Sequence, residues 1–189
     1  MRHPFASAKG RRRAAVFWLL AALTLVVLVV LQVVGRPLQT AAAPQGIVSY
    51  ELAGNAASTQ AILDSWDLNA RVHAGFSLGL DYLFMPLYAT TIALGCLWGA
   101  NTLLRRGWPL VALGELLAWG VWLAALCDVV ENITLWRLLV GPVAVPWPEL
   151  ARWCALIKFS LVGLGLVYVM VALAAWATSR RGPATKAAD

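Results

Sequence analysis

Charge is scarce in this sequence, and its scarcity argues against most classes of soluble protein. Only 13% of the 189 residues are Asp, Glu, Lys or Arg, whereas 61% are hydrophobic. Soluble domains average about 25% charged and about 45–50% apolar residues. With a mean hydropathy of +0.73, we expect neither a soluble globular enzyme nor a disordered chain.

Cysteine and histidine are also few, which removes several kinds of redox and metal chemistry. Cys96, Cys127 and Cys154 form no C-x-x-C pair, so a disulfide-forming membrane oxidoreductase is excluded. The two histidines, His3 and His73, are too few for a three-His zinc site and do not fit a bis-His haem. No P-loop, dinucleotide fingerprint or nucleophile elbow is present. We predict no cofactor.

Long apolar runs are what the sequence has instead. A spanning helix needs about 20 mainly apolar residues, and four runs meet that length: residues 14–34, 74–99, 108–135 and 150–178. Their continuity argues against barrel strands. We predict an all-α integral membrane protein, a bundle of four transmembrane helices forming one domain over residues 14–178. Short tails flank it, over residues 1–13 and 179–189.

The first run has features of a signal peptide but is too long for one. A basic start at Arg11–Arg13 precedes it, and an alanine tract at Ala41–Ala43 follows. Signal peptides have apolar cores of about 7–15 residues, and this run has 21. We favour a retained helix over a cleaved one.

Basic residues predict the orientation, because they collect on the cytoplasmic side. Four lie in the loops after the first and third runs or close to them: Arg36, Arg71, Arg137 and Arg152. Ten lie in the tails and the middle loop: Arg2, Lys9, Arg11, Arg12, Arg13, Arg105, Arg106, Arg180, Arg181 and Lys186. We predict cytoplasmic termini. The net charge of +6 then reflects membrane topology, and we expect no nucleic-acid partner.

The loop between the first two runs, residues 35–73, is too long for a plain connector. Its run Ile47–Leu52 fits either a strand or a helix. From about Ser58, a suitable N-cap, to Ala70 the pattern is helical. Apolar side chains there share one side: Ile62, Leu63, Trp66 and Ala70. We predict an extracytoplasmic amphipathic helix lying on the bundle or in the lipid headgroup zone.

Five charged residues lie inside the apolar runs: Asp81, Glu115, Asp128, Glu131 and Lys158. Each costs about 2.5–3.5 kcal/mol at the centre of a membrane. At about 1.5 Å per residue, Asp81, Asp128 and Lys158 lie at one depth, roughly 10–12 Å below the outer boundary. We expect them to meet. We assign no role to Glu115.

One helical face collects most of the candidate binding residues. Asp128, Glu131 and Asn132 are spaced i, i+3, i+4, so they share a face. Lys158 would neutralise one of the three acids Asp81, Asp128 and Glu131. The other two would be protonated, paired with Arg71 or Arg152, or matched by a bound cation. The candidate ligand-binding residues are Arg71, His73, Asp81, Tyr88, Asp128, Glu131, Asn132 and Lys158. If any metal binds, Asp128 and Glu131 are its predicted ligands.

Two stretches carry a family resemblance: the LDYLF-type run from Gly79 to Tyr88, and the D-x-x-E-N run from Cys127 to Asn132, followed by Lys158-Phe159. Together they resemble a group of small bacterial four-helix membrane proteins with no assigned activity. The resemblance covers about Tyr50 to Tyr168. It implies a multi-pass protein of the bacterial cytoplasmic (inner) membrane.

Three functions remain open from the sequence. The first is binding of a small cation, a proton or a lipid-like amine at the intramembrane acids. Because four helices make a small cavity, this function predicts a homodimer. The second is a structural or partner-binding subunit, in which these acids only fix helix packing and the outer segment from Tyr50 to Arg71 docks another membrane protein. The third, a metal-assisted enzyme acting on lipid headgroups, lacks a nucleophile or signature, so the sequence leans away from an enzyme.

Overall fold

The computed structural model describes residues 10–179, with side chains for residues 14–178. This part of the chain forms one short 3-10 turn (Arg36–Leu38), no strand, and six α-helices. These are α1 (Gly10–Val34), α2 (Ile47–Glu51), α3 (Ala56–Ser65), α4 (Leu68–Leu104), α5 (Val111–Val140) and α6 (Trp147–Ser179). The basic tails predicted over residues 1–13 and 179–189 lie largely outside the described residues.

Four of these helices are long and apolar enough to cross a membrane: Ala14–Val34, Leu68–Leu104, Val111–Val140 and Trp147–Thr178. The prediction of an all-helical chain with four membrane-length helices is confirmed. Helices α4 and α5 differ at both ends from the predicted runs, 74–99 and 108–135. Helix α4 begins at Leu68 because Asp67 caps it, its side chain accepting from Ala70 N at 2.7 Å. Helix α5 begins only at Val111, after Pro109, whose ring opposes continuation of a helix.

Helices α4, α5 and α6 form the core of the bundle, and α1 packs mainly along α4. The threonine hydroxyls of Thr24 and Thr91, 3.2 Å apart, join α1 to α4. Most of α1 is exposed, including Leu25 and Val29. A surface this apolar suits lipid rather than water, as expected of a multi-pass membrane protein.

Glycines let α4 approach its two neighbours closely. A Cβ at Gly75 would meet Trp136 of α5 at 3.1 Å, and one at Gly95 would meet Val169 of α6 at 2.9 Å. Gly75 and Gly95 therefore face different neighbours, α5 and α6. A Cβ added at Gly79 would meet no atom within 4 Å, so this glycine is not needed for close packing.

Residues 35–67 form a separate layer over one end of the bundle, and we call them the cap segment. Its helix α3 is capped by Asn55, whose side chain accepts from Ser58 N at 2.8 Å, so the predicted Ser58 cap was wrong. Helix α3 ends at Ser65, and the single helix predicted from Ser58 to Ala70 was also wrong. Asp67 caps a new helix, α4, so the apolar residues from Ile62 to Ala70 are divided between α3, the short connection after it and α4.

Aromatic side chains hold the cap segment against the bundle. Tyr50 is 1% exposed, and its hydroxyl donates to Leu135 O of α5 at 3.0 Å. Trp66 packs edge-on against Tyr50, and its Nε1 donates to Leu38 O at 2.9 Å. These contacts place the cap segment on the bundle itself, with α2 directly above the polar interior.

Candidate functional site

Lys158 of α6 lies at the centre of a buried cluster of carboxyl groups. Its Nζ is 3.0 Å from Asp128 Oδ1, 2.9 Å from Glu131 Oε2 and 3.5 Å from Glu51 Oε2. None of these four side chains is more than 10% exposed. Such a short, water-excluded arrangement makes every charge in it energetically important.

Helix geometry explains how α5 supplies two of these carboxyl groups. Asp128 and Glu131 are three residues apart, so both project from one face toward α6. Buried alanines on this side of the two helices, Ala124 and Ala155, leave room for the polar side chains between them. The sequence prediction that Lys158 and Asp128 meet agrees with this geometry.

Two further polar contacts extend the cluster toward α4. The hydroxyl of Tyr88 donates to Asp128 Oδ2 at 3.0 Å. Asn132 Nδ2 donates to Asp81 Oδ2 at 3.0 Å and to Leu78 O at 3.2 Å. Asp81 therefore joins the cluster through the Asn132 amide, at its half-buried edge.

Glu51 is the cluster member that sequence reasoning missed. It ends α2 in the cap segment and is 8% exposed, although its position between spans suggested a solvated charge. Burial raises the pKa of Glu51; the Lys158 ammonium opposes this shift, and the Asp128 carboxyl adds to it. The sequence does contain an indication of this burial, because Glu51 lies in a short, mainly apolar run, Ile47–Leu52.

Glu51 and Glu131 approach the same ammonium, since Lys158 Nζ lies 3.5 Å from Glu51 Oε2 and 2.9 Å from Glu131 Oε2. Glu131 is fully buried. Lys158 Nζ donates to its Oε1 at 3.0 Å, and its Oε2 has no hydrogen-bond partner among the described residues. Two ionised carboxylates this close together would repel each other, so a proton on one of them stabilises the pair.

Charge counting leads to the same requirement for the whole cluster. Four carboxyl groups, of Glu51, Asp81, Asp128 and Glu131, face the single ammonium of Lys158. Fully ionised, they would leave three negative charges uncompensated. Each uncompensated buried charge costs several kcal/mol, so the cluster needs protons or a cation to be stable.

Arg71 and His73 do not join this cluster. Arg71 donates through Nη2 to Leu63 O at 2.8 Å and through Nε to Trp66 O at 3.3 Å. His73 Nδ1 lies 2.9 Å from Val34 O. Both side chains thus fasten the cap segment and the end of α1 to α4.

Other charged residues lie outside the site. All ion pairs between described residues involve Lys158, so neither Arg71 nor Arg152 pairs with a carboxyl group there. Glu115 is exposed on α5. Two surface grooves, of about 420 and 520 Å³, are lined by residues outside the cluster. Within residues 10–179, no set of three His, Cys, Asp or Glu side chains is arranged to hold a metal ion.

Comparison of this chain with protein-family models, with curated proteins and with solved structures finds no match. The family resemblance drawn from the sequence therefore stays a prediction.

Proposed function

We propose that this multi-pass membrane protein binds and releases protons at the buried cluster around Lys158. The observation that carries the proposal is the gathering of four buried or half-buried carboxyl groups, of Glu51, Asp81, Asp128 and Glu131, around the single ammonium of Lys158. Carboxyl groups this close together do not all ionise in a buried site, so bound protons neutralise part of the surplus negative charge.

A proton suits this cluster better than a larger ligand does. Lys158 already contacts three of the carboxyl groups, while Tyr88 and Asn132 donate to Asp128 and Asp81. A metal ion or a lipid amine would have to displace the Lys158 ammonium from its place. A proton adds to a carboxyl oxygen without displacing any side chain.

The proposed location is the cytoplasmic membrane of a bacterium, with both termini inside. Ten basic residues lie in the tails and the middle loop, against four in or near the other two loops, and this difference supports the orientation. The cap segment then lies outside the membrane, and the cluster lies below it, toward the outer face.

Infrared spectroscopy of the protein in lipid nanodiscs tests proton binding directly. Protonated carboxyl groups give a carbonyl stretching band. Ordinary solvated carboxyl groups are ionised above about pH 6, so we expect a band that persists above that pH and decreases as pH rises further. Glu131→Gln should remove part of the pH-dependent band. Asp64→Asn, which removes an exposed acid outside the membrane-length helices, should leave it unchanged. A band that does not change with pH in the wild-type protein would refute proton exchange.

The alternative is a structural or partner-binding subunit in which the cluster only fixes helix packing. The direct pairing of Lys158 with acids of α5 favours it. Under this alternative, Glu131→Gln lowers the unfolding temperature but no carboxyl band titrates. The enzyme reading has less support, because its two predicted metal ligands, Asp128 and Glu131, are already bound to Lys158.

A further inference from the structure

Glu51 differs from the other members of the cluster in where it comes from. Asp81, Asp128, Glu131 and Lys158 belong to the membrane-length helices α4, α5 and α6, whose backbones are fixed by long helical hydrogen-bond ladders. Glu51 ends a five-residue helix in the cap segment. Helices this short have little stability of their own, so Glu51 stays in place only through its tertiary contacts.

Neutral contacts and one charged contact hold α2 to the bundle. The Tyr50 hydroxyl bonds to Leu135 O, and this contact is insensitive to pH in the neutral range because burial raises the pKa of Tyr50 above its ordinary value. The Glu51 carboxyl lies 3.5 Å from Lys158 Nζ, which also binds Asp128 and Glu131. Docking of the cap segment is thus linked directly to the charge of the cluster.

We propose that α2 of the cap segment is a proton-controlled lid over the buried cluster, closed when Glu51 is protonated and released when Glu51 is ionised. This inference rests on the proposed function and adds to it a route by which proton binding changes the protein's shape. Release would expose the Lys158 cluster to the aqueous side and allow its protons to exchange with water.

The groups that face Glu51 set the direction of this response. They are Asp128 and Glu131 from α5, Lys158 from α6 and Asp81 from α4; Arg152 of α6 lies beside Gly54, just beyond α2. Burial, together with the Asp128 carboxyl, outweighs Lys158, so the pKa of Glu51 is raised in the docked state.

A raised pKa means that the docked lid favours the protonated form of Glu51. Its docking free energy is therefore fully present below the ordinary glutamate pKa of about 4.3 and is lost as pH rises through the raised value. With one proton involved, the opening equilibrium rises by up to about tenfold per pH unit between the ordinary pKa and the raised one, and levels off above the raised one. Ionised Glu51 regains its hydration when it leaves the cluster.

Hydrogen–deuterium exchange of the full chain in nanodiscs tests the lid. After correction for intrinsic exchange, protection of residues 47–53 should fall between about pH 5 and about pH 8. Protection of α5 should not change. Glu51→Gln, which mimics the protonated side chain, should keep residues 47–53 protected at both pH values. Asp64→Asn, at an exposed acid of the same segment, should behave like the wild type.

A second variant separates electrostatic release from general loosening. Tyr50→Phe removes the hydrogen bond to Leu135 O, so it should lower protection of residues 47–53 at every pH and keep the wild-type pH dependence. Equal protection of the wild-type segment at both pH values would overturn the lid. If the infrared band still titrates in that case, proton binding stands without the lid; if it does not, both proposals fail.

Discussion

Lys158 is the cation that faces carboxyl groups from α5 and from the cap segment, all within 3.5 Å of its Nζ. Forming such a buried cluster costs desolvation, so the cluster by itself adds little net stability. Removing one partner is different, because it leaves the remaining charges buried without compensation. Single residues in the cluster should therefore have large effects when they are changed alone.

Lys158→Met should be strongly destabilising. Loss of the ammonium leaves buried acids unpaired, at a cost of about 3–5 kcal/mol, and the effect should weaken at low pH as the acids become protonated. Thermal unfolding of the purified protein, followed by tryptophan fluorescence at several pH values, measures this. Arg36→Met, at an exposed cation in the 3-10 turn, should change the unfolding temperature little.

Adding Glu131→Gln to Lys158→Met provides the internal control. The double variant removes one acid together with the ammonium, so it should be more stable than the sum of the two single effects predicts. Simple additivity would show that the two side chains do not interact energetically, contrary to their 2.9 Å separation.

The sequence alone indicated most residues of the cluster around Lys158, but not all of them. Helical spacing and depth placed Asp128, Glu131, Asn132 and Lys158 together, because a helix fixes the height and direction of each side chain. The same reasoning did not find Glu51, since nothing in residues 35–67 fixes how the chain folds back. Arg71 and His73 were included for their nearness to the membrane edge, but their side chains bond to backbone carbonyl oxygens.

Among the elements, α4 shows how small residues decide which helices can touch. Gly99 of α4 lies against α6, where an added Cβ would be 2.9 Å from Ala172 Cβ and 3.0 Å from Tyr168 Cε1. Gly79, on the same helix, faces open space. The two positions therefore form a matched pair for testing the packing of the bundle.

Gly99→Ala should lower the free energy of unfolding by about 1–3 kcal/mol, the usual cost of overpacking a filled interface. Gly79→Ala should leave it unchanged or raise it, because alanine favours the helix and meets no neighbour. Unfolding of both variants in the same detergent, with the wild type alongside, compares them. Equal effects would mean that α4 and α6 are not in close contact at Gly99.

The elements were well predicted where hydrophobicity alone defines them and less well where capping does. The spans of α1 and α6 follow their apolar runs closely. The boundary between α3 and α4 does not, because the Asp67 side chain caps a new helix inside a continuous apolar pattern. Competition between capping and periodicity is hard to judge without the surrounding structure.

For the whole molecule, the charge distribution predicts which side each loop faces. Ser58 in the cap segment and Arg105 in the loop between α4 and α5 are both exposed. In intact cells, a membrane-impermeant thiol reagent should label Ser58→Cys and should label Arg105→Cys only after the membrane is permeabilised. The reverse pattern would show that the orientation is inverted.

The native cysteines provide the background for this measurement. Cys96 and Cys154 are buried, and Cys127 is half-buried. The wild-type protein should therefore label weakly on either side, so strong labelling of a variant reports the introduced cysteine. Weak labelling of Ser58→Cys even in permeabilised cells would contradict the exposure of the cap segment at that position.

The sequence by itself determined the class of protein and the four long helices, because continuous apolar runs of this length are stable chiefly as helices in a lipid environment. It also indicated the acids of α5 and the lysine of α6, since helical geometry fixes their relative positions. Only the tertiary structure decided that Glu51 enters the cluster. That contact depends on how the cap segment folds back over the bundle, which rests on long-range packing of Tyr50 and Trp66 rather than on any local pattern.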